Sequence, residues 1–396
     1  MKFNFKTTMI SCFVAYIVQA IVNNFSPLLF ITFHETYGIP LSRITLLVTI
    51  NFAVQLLVDL LATKYVDKIG YRPCVTAAHI FAALGLSLLA VLPERMDPFL
   101  GILIAGCTYA VGGGLIEVLI SPIMESCPTD NKETAMSLLH SFYCWGHVGV
   151  VLISTVFFSA FGIGSWKILA FVWALIPLTN AFVFAKTPIA SLISEGETGM
   201  TVKELFANKT FWLLMVMMVC SGASEQSVSQ WASAFAEQGL GISKTAGDLA
   251  GPMTFAICMG IARAAYGKYG ERMDLDLFMK FSTVLCVVSY LVISLSPVAA
   301  LSLVGCAVCG FSVGCMWPGT FSKAAVSLKT GGTAMFAFLA LGGDLGCSGG
   351  PTVVGFVSEL FGGNMKSGIL AAVVFPVVLA VCLFGQRTGG KAGLSN

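Results

Sequence analysis

Runs of about 20 mostly apolar residues, the length that crosses a bilayer as a helix, recur along this chain from end to end. Twelve such runs fall at roughly 9–32, 44–66, 74–93, 99–123, 136–161, 166–185, 211–235, 248–268, 275–295, 299–324, 333–358 and 366–386. Between them the chain turns polar and carries breaker residues: Gly38-Ile39-Pro40, the stretches from Asp67 to Pro73, Pro93 to Pro98 and Pro128 to Glu133, and that from Gly267 to Asp274. Strands of a barrel would instead alternate apolar and polar residues over segments of about ten, and they do not. The pattern predicts an all-α integral membrane protein with twelve transmembrane helices. Lys2 and Lys6 ahead of the first run look like the start of a signal peptide. That run is too long for a signal core and eleven more follow, so it reads as the first membrane helix.

The runs repeat as two sets of six. Gly38-Ile39 follows span one and Gly241-Ile242 follows span seven, 203 residues on. Asp67-Lys68 and Glu271-Arg272 stand 204 apart after spans two and eight. Thr134-Ala135-Met136 and Thr333-Ala334-Met335, 199 apart, open spans five and eleven, and Pro122 in span four answers Pro318 in span ten, 196 apart. Four matches in order at nearly constant offset indicate a parallel duplication, with solute bound near mid-membrane between the halves. The longest polar stretch, about 186–210, divides them. The expected domains are a six-helix bundle over 1–185, a cytoplasmic linker over 186–210 and a second six-helix bundle over 211–396.

Composition narrows the class. Of 396 residues 57% are hydrophobic, mean hydropathy is +0.87, and only 11% are charged, against about 25% in soluble domains. This excludes a cytosolic enzyme, a secreted disulfide scaffold, a nucleic-acid binder and a disordered chain. The 13 Cys lie in apolar runs, and the Cys306-x-x-Cys309 pair sits inside a span, where it reads as small apolar side chains. With the N-terminus inside, 16 Lys and Arg fall in inner segments, 5 in outer loops, and Arg263 in a span, which accounts for all 22. The positive-inside rule then puts both termini in the cytoplasm of a plasma membrane, a bacterial cytoplasmic membrane by expectation.

The segment Thr63-Lys-Tyr-Val-Asp67-Lys68-Ile-Gly70-Tyr-Arg72-Pro resembles the G-x-x-x-D-R-x-G-R-R loop of the major facilitator superfamily, and Gly267-Lys-Tyr-Gly-Glu271-Arg272 is its second copy. The resemblance implies the major facilitator fold and a conformational-switch role for these loops, in which acidic and basic residues pair with neighbouring helix ends. Within the superfamily the chain looks like the fucose–galactose–glucose proton symporter branch. Span four has Glu117 five residues before Pro122, and the branch's Glu at this place is implicated in proton coupling. His140 and Tyr143 in span five occupy positions where the branch has a polar pair that contacts sugar. Ser224-Glu225-Gln226 with Trp231 resembles the branch's small-x-Glu start of span seven. The chain departs from the branch's fucose permease in span one, where Asn23, Asn24, Ser26 and Pro27 stand without an acid.

Five ionisable residues lie inside predicted spans: Asp59, Glu117, Glu225, Arg263 and Asp344. Each costs at least about 2.5–3.5 kcal/mol on insertion scales, so each faces the interior or a water-filled cavity. Asp59 and Arg263 occupy equivalent places, eight residues before Asp67 and Glu271, about 12 Å inward of the loops. In the superfamily span two packs beside span eleven and span eight beside span five. Asp59 is therefore expected to meet Asp344, and Arg263, as an interface charge, the polar groups of span five. Glu117, Asp59 and Asp344 are the proton-coupling candidates, because neighbouring acids share protons. Gln226 and Gln230 lie one turn apart on span seven, with Asn23, Asn24 and Gln19 on span one. Amides bond hydroxyls and an aromatic face stacks on the C–H face of a sugar. Solute contacts are thus expected from Asn23, Asn24, His140, Tyr143, Glu225, Gln226, Gln230, Trp231 and Trp317, with a helix break at Trp317-Pro318. His79 reads as a packed residue; His140 and His147 are the possible proton relays.

The expected function is secondary active transport by alternating access: proton-coupled uptake of a monosaccharide or similar small polar solute. The alternative is proton-antiport efflux of amphipathic compounds. No H-E-x-x-H or ATP-binding signature is present, so no enzyme activity, cofactor or metal is expected. Solute, protons and membrane lipids are the expected partners of a monomer, and nucleic acid is not.

Overall fold

The computed structural model describes residues 3–128, 132–189, 200, 202–269, 274–328 and 332–385, and among these there is no strand. Eleven helical segments, from Phe5–Tyr37 to Met365–Gly385, are long and apolar enough to cross a membrane. The 29-residue helix Gly332–Leu360 takes the place of span eleven. The twelve helices of the hydropathy pattern are therefore present. Several run beyond their apolar cores: span two is Leu41–Ile69 and span five Lys132–Phe161. A helix keeps its backbone hydrogen bonds as it leaves the bilayer, so polar flanks stay helical where hydropathy has already fallen.

Spans one and seven are interrupted at matching depths. In span one the helix Phe5–Asn24 gives way to a 3-10 turn, Ser26–Leu29, with Pro27 in its first turn, before Phe30–Tyr37. In span seven Lys209–Ser229 ends at Gln230, and a π turn follows over Phe235–Gly239. Irregular backbone at membrane depth survives only where protein buries it or a cavity wets it; the turn of span one is buried, and span seven is buried from Gln230 to Ala236. Span ten breaks as expected but three residues earlier. Its pieces are Ala299–Val313 and Met316–Ser327, and Pro318 lies in the first turn of the second. Proline is tolerated there because that turn has no N–H to lose.

Glycines weld span seven to span eleven. A Cβ at Gly346 would stand 2.0 Å from the Val219 carbonyl oxygen, and one at Gly222 2.2 Å from that of Gly343. The two backbones touch, so any side chain must force them apart. Spans two and eleven meet across the halves through a side chain, since a Cβ at Gly355 would lie 1.9 Å from Thr45 Oγ1. Beside it the Thr49 and Thr352 hydroxyls bond each other and Ser348 Oγ donates to the Thr49 carbonyl at 3.2 Å.

Of the loop motifs, Gly70 has φ of +98°, which explains the glycine, and Arg72 Nη2 donates to the Thr187 carbonyl at 3.0 Å, tying span three to the end of span six. Asp67 and Lys68 end the span-two helix and Gly267 lies in Thr254–Tyr269. Glu271, Arg272 and, in the linker, residues 190–199 and 201 lie outside the described residues. His79 is a packed residue: it is fully buried, its Nδ1 donates to the Val75 carbonyl at 2.8 Å, and its Nε2 accepts from Asn180 at 2.9 Å.

The span seven–eleven contact yields a stability test. Gly346→Ala is expected to destabilise the protein by at least about 1–3 kcal/mol, the usual penalty for overpacking, read as a lowered melting temperature in detergent. An unchanged melting temperature would mean the helices are not in backbone contact.

Candidate functional site

A cavity of about 760 Å³ opens between the halves. Its walls are Tyr16, Gln19 and Asn23 of span one, Phe52 of span two, Glu117 of span four, His140 and Tyr143 of span five, Glu225 and Gln226 of span seven, Arg263 and Tyr266 of span eight, Trp317 and Phe321 of span ten, and Asp344 of span eleven. Counting crossings from the N-terminus, Tyr266, Phe321, Ser322 and His140 lie toward the end of the molecule that carries the termini, and the cavity reaches them. The opposite end is sealed. Thr45, Thr49, Thr352 and Gly355 close it between spans two and eleven, and Phe30 packs on Trp231 at 5.4 Å between ring centres.

Amides form the ceiling of the cavity. Gln19 Nε2 donates to Glu117 Oε2 at 3.3 Å and to Gln55 Oε1 at 3.1 Å, and Gln55 Nε2 donates to Asn23 Oδ1 at 3.1 Å. Across the gap, Gln230 Nε2 donates to the Asn23 carbonyl at 3.0 Å and to Gln226 Oε1 at 3.0 Å. Gln226 Nε2 lies 3.5 Å from Glu225 Oε1, and Glu225 Oε2 takes the Arg263 Nη2 donor at 3.0 Å. One run of polar side chains thus joins Glu117 in the first half to Arg263 in the second. Such a run satisfies groups that would otherwise be stranded in hydrocarbon. Its single crossing between halves is the Asn23–Gln230 bond, placed where spans one and seven are interrupted.

Arg263 interacts with Cys144 and Tyr143 of span five. It also donates to Glu225 on span seven and to the Gly314 carbonyl on span ten, the latter 3.3 Å from Nε. The Gly314 contact has a local reason. Pro318 has no N–H, so the carbonyl four residues earlier, Gly314, loses its helical donor, and the guanidinium supplies one.

Asp59 does meet Asp344, and Glu117 joins them. Each of the three offers a carboxylate oxygen, all within 4.8 Å of one another. Asp59 and Asp344 are 6% and 4% exposed, and Asp59 Oδ1 and Asp344 Oδ2 have no hydrogen-bond partner. No Lys, Arg or His forms an ion pair with any of the three among the described residues.

Of the nine expected solute contacts, Asn23, His140, Tyr143, Glu225, Gln226 and Trp317 line the cavity. Three are placed elsewhere. Trp231 is fully buried, with Nε1 donating to the Pro351 carbonyl at 3.0 Å, and serves the seal. Gln230 is taken up by Asn23 and Gln226. Asn24 Nδ2 donates to the Ala20 carbonyl at 2.9 Å and reaches the Tyr143 hydroxyl at 3.4 Å. His147 is buried and does not line the cavity, whereas His140 does and meets the Tyr16 ring edge-on at 5.3 Å. Sequence reasoning missed Gln55, which sits one turn before Asp59 on the same helix face. It also missed Tyr16, whose hydroxyl bonds Ser121 Oγ at 3.0 Å.

The sequence profile of the Major Facilitator Superfamily matches residues 8–351. The sequence matches no curated protein. Among solved structures the chain is similar to a bacterial homologue of the human lysosomal transporter Spinster in an inward-facing, unoccupied conformation, with a TM-score of 0.75, 15% identity and 96% of each chain covered. It is also similar to FucP, the E. coli fucose:proton symporter, with a TM-score of 0.66, 15% identity, and 97% of this chain and 98% of that one covered. A structure of FucP in the outward conformation gives 0.66 at 14% identity, covering 96% and 98%. At these identities the likeness carries the fold.

The seal makes a direct prediction. With the chain cut in the linker, the pair Thr49→Cys and Thr352→Cys should cross-link under mild oxidation and hold the two halves together on a denaturing gel, while neither single variant does. Failure of the pair to cross-link would place the halves apart at this end.

Proposed function

This chain belongs to the major facilitator superfamily of membrane transporters, and from that premise we propose that it carries a small polar solute, a monosaccharide or similar polyol, inward together with protons. Alternating access is the mechanism. The observation that supports it best is the asymmetry of the cavity, which reaches the end bearing the termini while the other end is closed by the Thr49–Thr352 contact and the Phe30–Trp231 packing. The excess of Lys and Arg on loops at the termini end marks that end as cytoplasmic, in a plasma membrane. The conformation described is then inward-facing.

The chemistry follows from the walls. Asn23, Gln226 and Tyr143 offer hydroxyl-matching donors and acceptors, and Trp317 offers a ring face. Carboxyl groups in a wet cavity exchange protons with whichever side the cavity faces. Glu117, Asp59 and Asp344 draw from both halves, so the charge they carry bears on how closely spans two, four and eleven approach. Protonated, the three pack without repulsion and the bundles can rock; deprotonated, they resist a dry closure, because a buried unpaired carboxylate costs several kcal/mol. Arg263 stays paired with Glu225 and keeps that half of the cavity near neutral. A second reading is favoured by the aromatic lining of Tyr16, Phe52, Tyr266, Trp317 and Phe321, which suits an amphipathic solute exported against protons.

The coupling assignment is tested with Glu117→Gln in liposomes under an inward proton gradient. The variant is expected to exchange labelled solute across the membrane but to level off at the outside concentration, with no accumulation. Accumulation equal to that of the unmodified protein would remove Glu117 from the coupling step.

A further inference from the structure

The sealed end of the molecule is not solid. A second cavity of about 20 Å³ lies between spans one, two and four, beyond the Asn23–Gln230 bond, with room for about one water. Asn23 lines both this cavity and the main one. The other polar walls are Ser26 of span one, Asn51 of span two and Tyr109 of span four, and Phe30 adds a ring. Gln230 is the one residue of the second half in the wall among the described residues. The rest of the lining comes from the first half.

The polar groups of this cavity have hydrogen-bonding capacity left over. Asn51 Oδ1 is buried without a hydrogen-bond partner among the described residues, and buried polar atoms are normally satisfied. The Ser26 and Tyr109 hydroxyls bond each other at 2.8 Å. In such a pair one hydroxyl gives its proton to the other, whose own proton is still to be given. A free acceptor beside a free donor matches a hydroxyl group, which both gives and takes a hydrogen bond. No Lys, Arg, Asp or Glu lines the cavity among the described residues, so it suits a neutral ligand. Tyr109 is also held in place. Span three comes so close that a Cβ at Gly85 would stand 2.3 Å from the Tyr109 backbone nitrogen.

We propose that Ser26, Asn51 and Tyr109, together with Asn23, form an outer subsite for a neutral polyhydroxylated solute, covered by Gln230 in this conformation and laid open when the halves part at the sealed end. This rests on the reading of the chain as an alternating-access carrier of such a solute, and adds a place where the solute is met from outside. Gln230 leaves with the second half, and the small cavity then joins the path. Phe30 loses the Trp231 ring now packed against it at 5.4 Å and offers its face to the C–H side of the solute. Asn23, common to both cavities, passes the solute from one to the other.

The test compares two held forms of the full chain. The oxidised Thr49→Cys, Thr352→Cys pair keeps the sealed end shut. Gly355→Trp wedges it open, since even a Cβ there would meet Thr45 Oγ1 at 1.9 Å; Thr45→Trp is the second wedge should Gly355→Trp not fold. Binding of labelled galactose, glucose and fucose to the purified protein is measured in each form. Asn51→Leu and, separately, Tyr109→Phe are expected to weaken binding in the wedged form about two- to tenfold, the worth of one hydrogen bond, and to leave the shut form unchanged. Equal weakening in both forms, or none in the wedged form, overturns the subsite. Sugar binding that persists with neither variant felt removes the subsite alone and leaves the proposed solute class standing. No binding of any of the three sugars in either form removes both.

Discussion

Three carboxyl groups from both halves of the molecule meet at bilayer depth with no Lys, Arg or His paired to them among the described residues, and much of the remaining design answers to that. Coulomb repulsion between buried charges is severe in a medium of low dielectric. Such a cluster is stable only when positive charge comes from outside the protein, and it then reports on the side from which the charge came. A transporter needs a group of that kind, and it needs it where the two moving bodies touch. Asp59 and Asp344, on spans two and eleven, satisfy both conditions.

The charged and amide side chains beside the acids largely satisfy one another. Arg263 is neutralised by Glu225 and takes up the carbonyl that Pro318 leaves free. The amide run through Gln19, Gln55, Asn23, Gln230 and Gln226 satisfies itself almost completely and crosses between the halves through one bond. One neutral hydrogen bond contributes about 0.5–1.5 kcal/mol, little enough to break on each cycle. Within the second half, by contrast, the glycine contacts of spans seven and eleven admit no adjustment. With the second half rigid at this seam, and the halves joined at the sealed end by spans two and eleven and at mid-depth by the Asn23–Gln230 bond, the molecule suits rocking of whole bundles.

Most of the fold was legible in the sequence because the bilayer leaves so few solutions. Hydropathy located twelve spans, and the internal repeat is what led to the expectation of two sets of six. The meeting of Asp59 with Asp344 was legible too, from the pairing of spans two and eleven. What escaped depended on details of backbone. Asn24 stands one helical step, about 100°, round from Asn23 and bonds the Ala20 carbonyl, and the interruption of span seven carries Trp231 into the seal; neither is written in hydropathy. Topology set Arg263 against span five, where it interacts with Cys144 and Tyr143, but not its bonds to Glu225 and to the carbonyl that Pro318 leaves free. The three-acid cluster has no sequence signature at all, since its members stand 58 and 227 residues apart on separate helices.

The claim on which the account turns is that solute and protons move in the same direction. Protein in liposomes loaded with a pH-sensitive dye, with equal pH on both sides, is given galactose, glucose or fucose from outside. Acidification of the interior on addition of one of these, abolished by a protonophore, is the predicted result. Solute entry with no change of internal pH, or with alkalinisation, would contradict it.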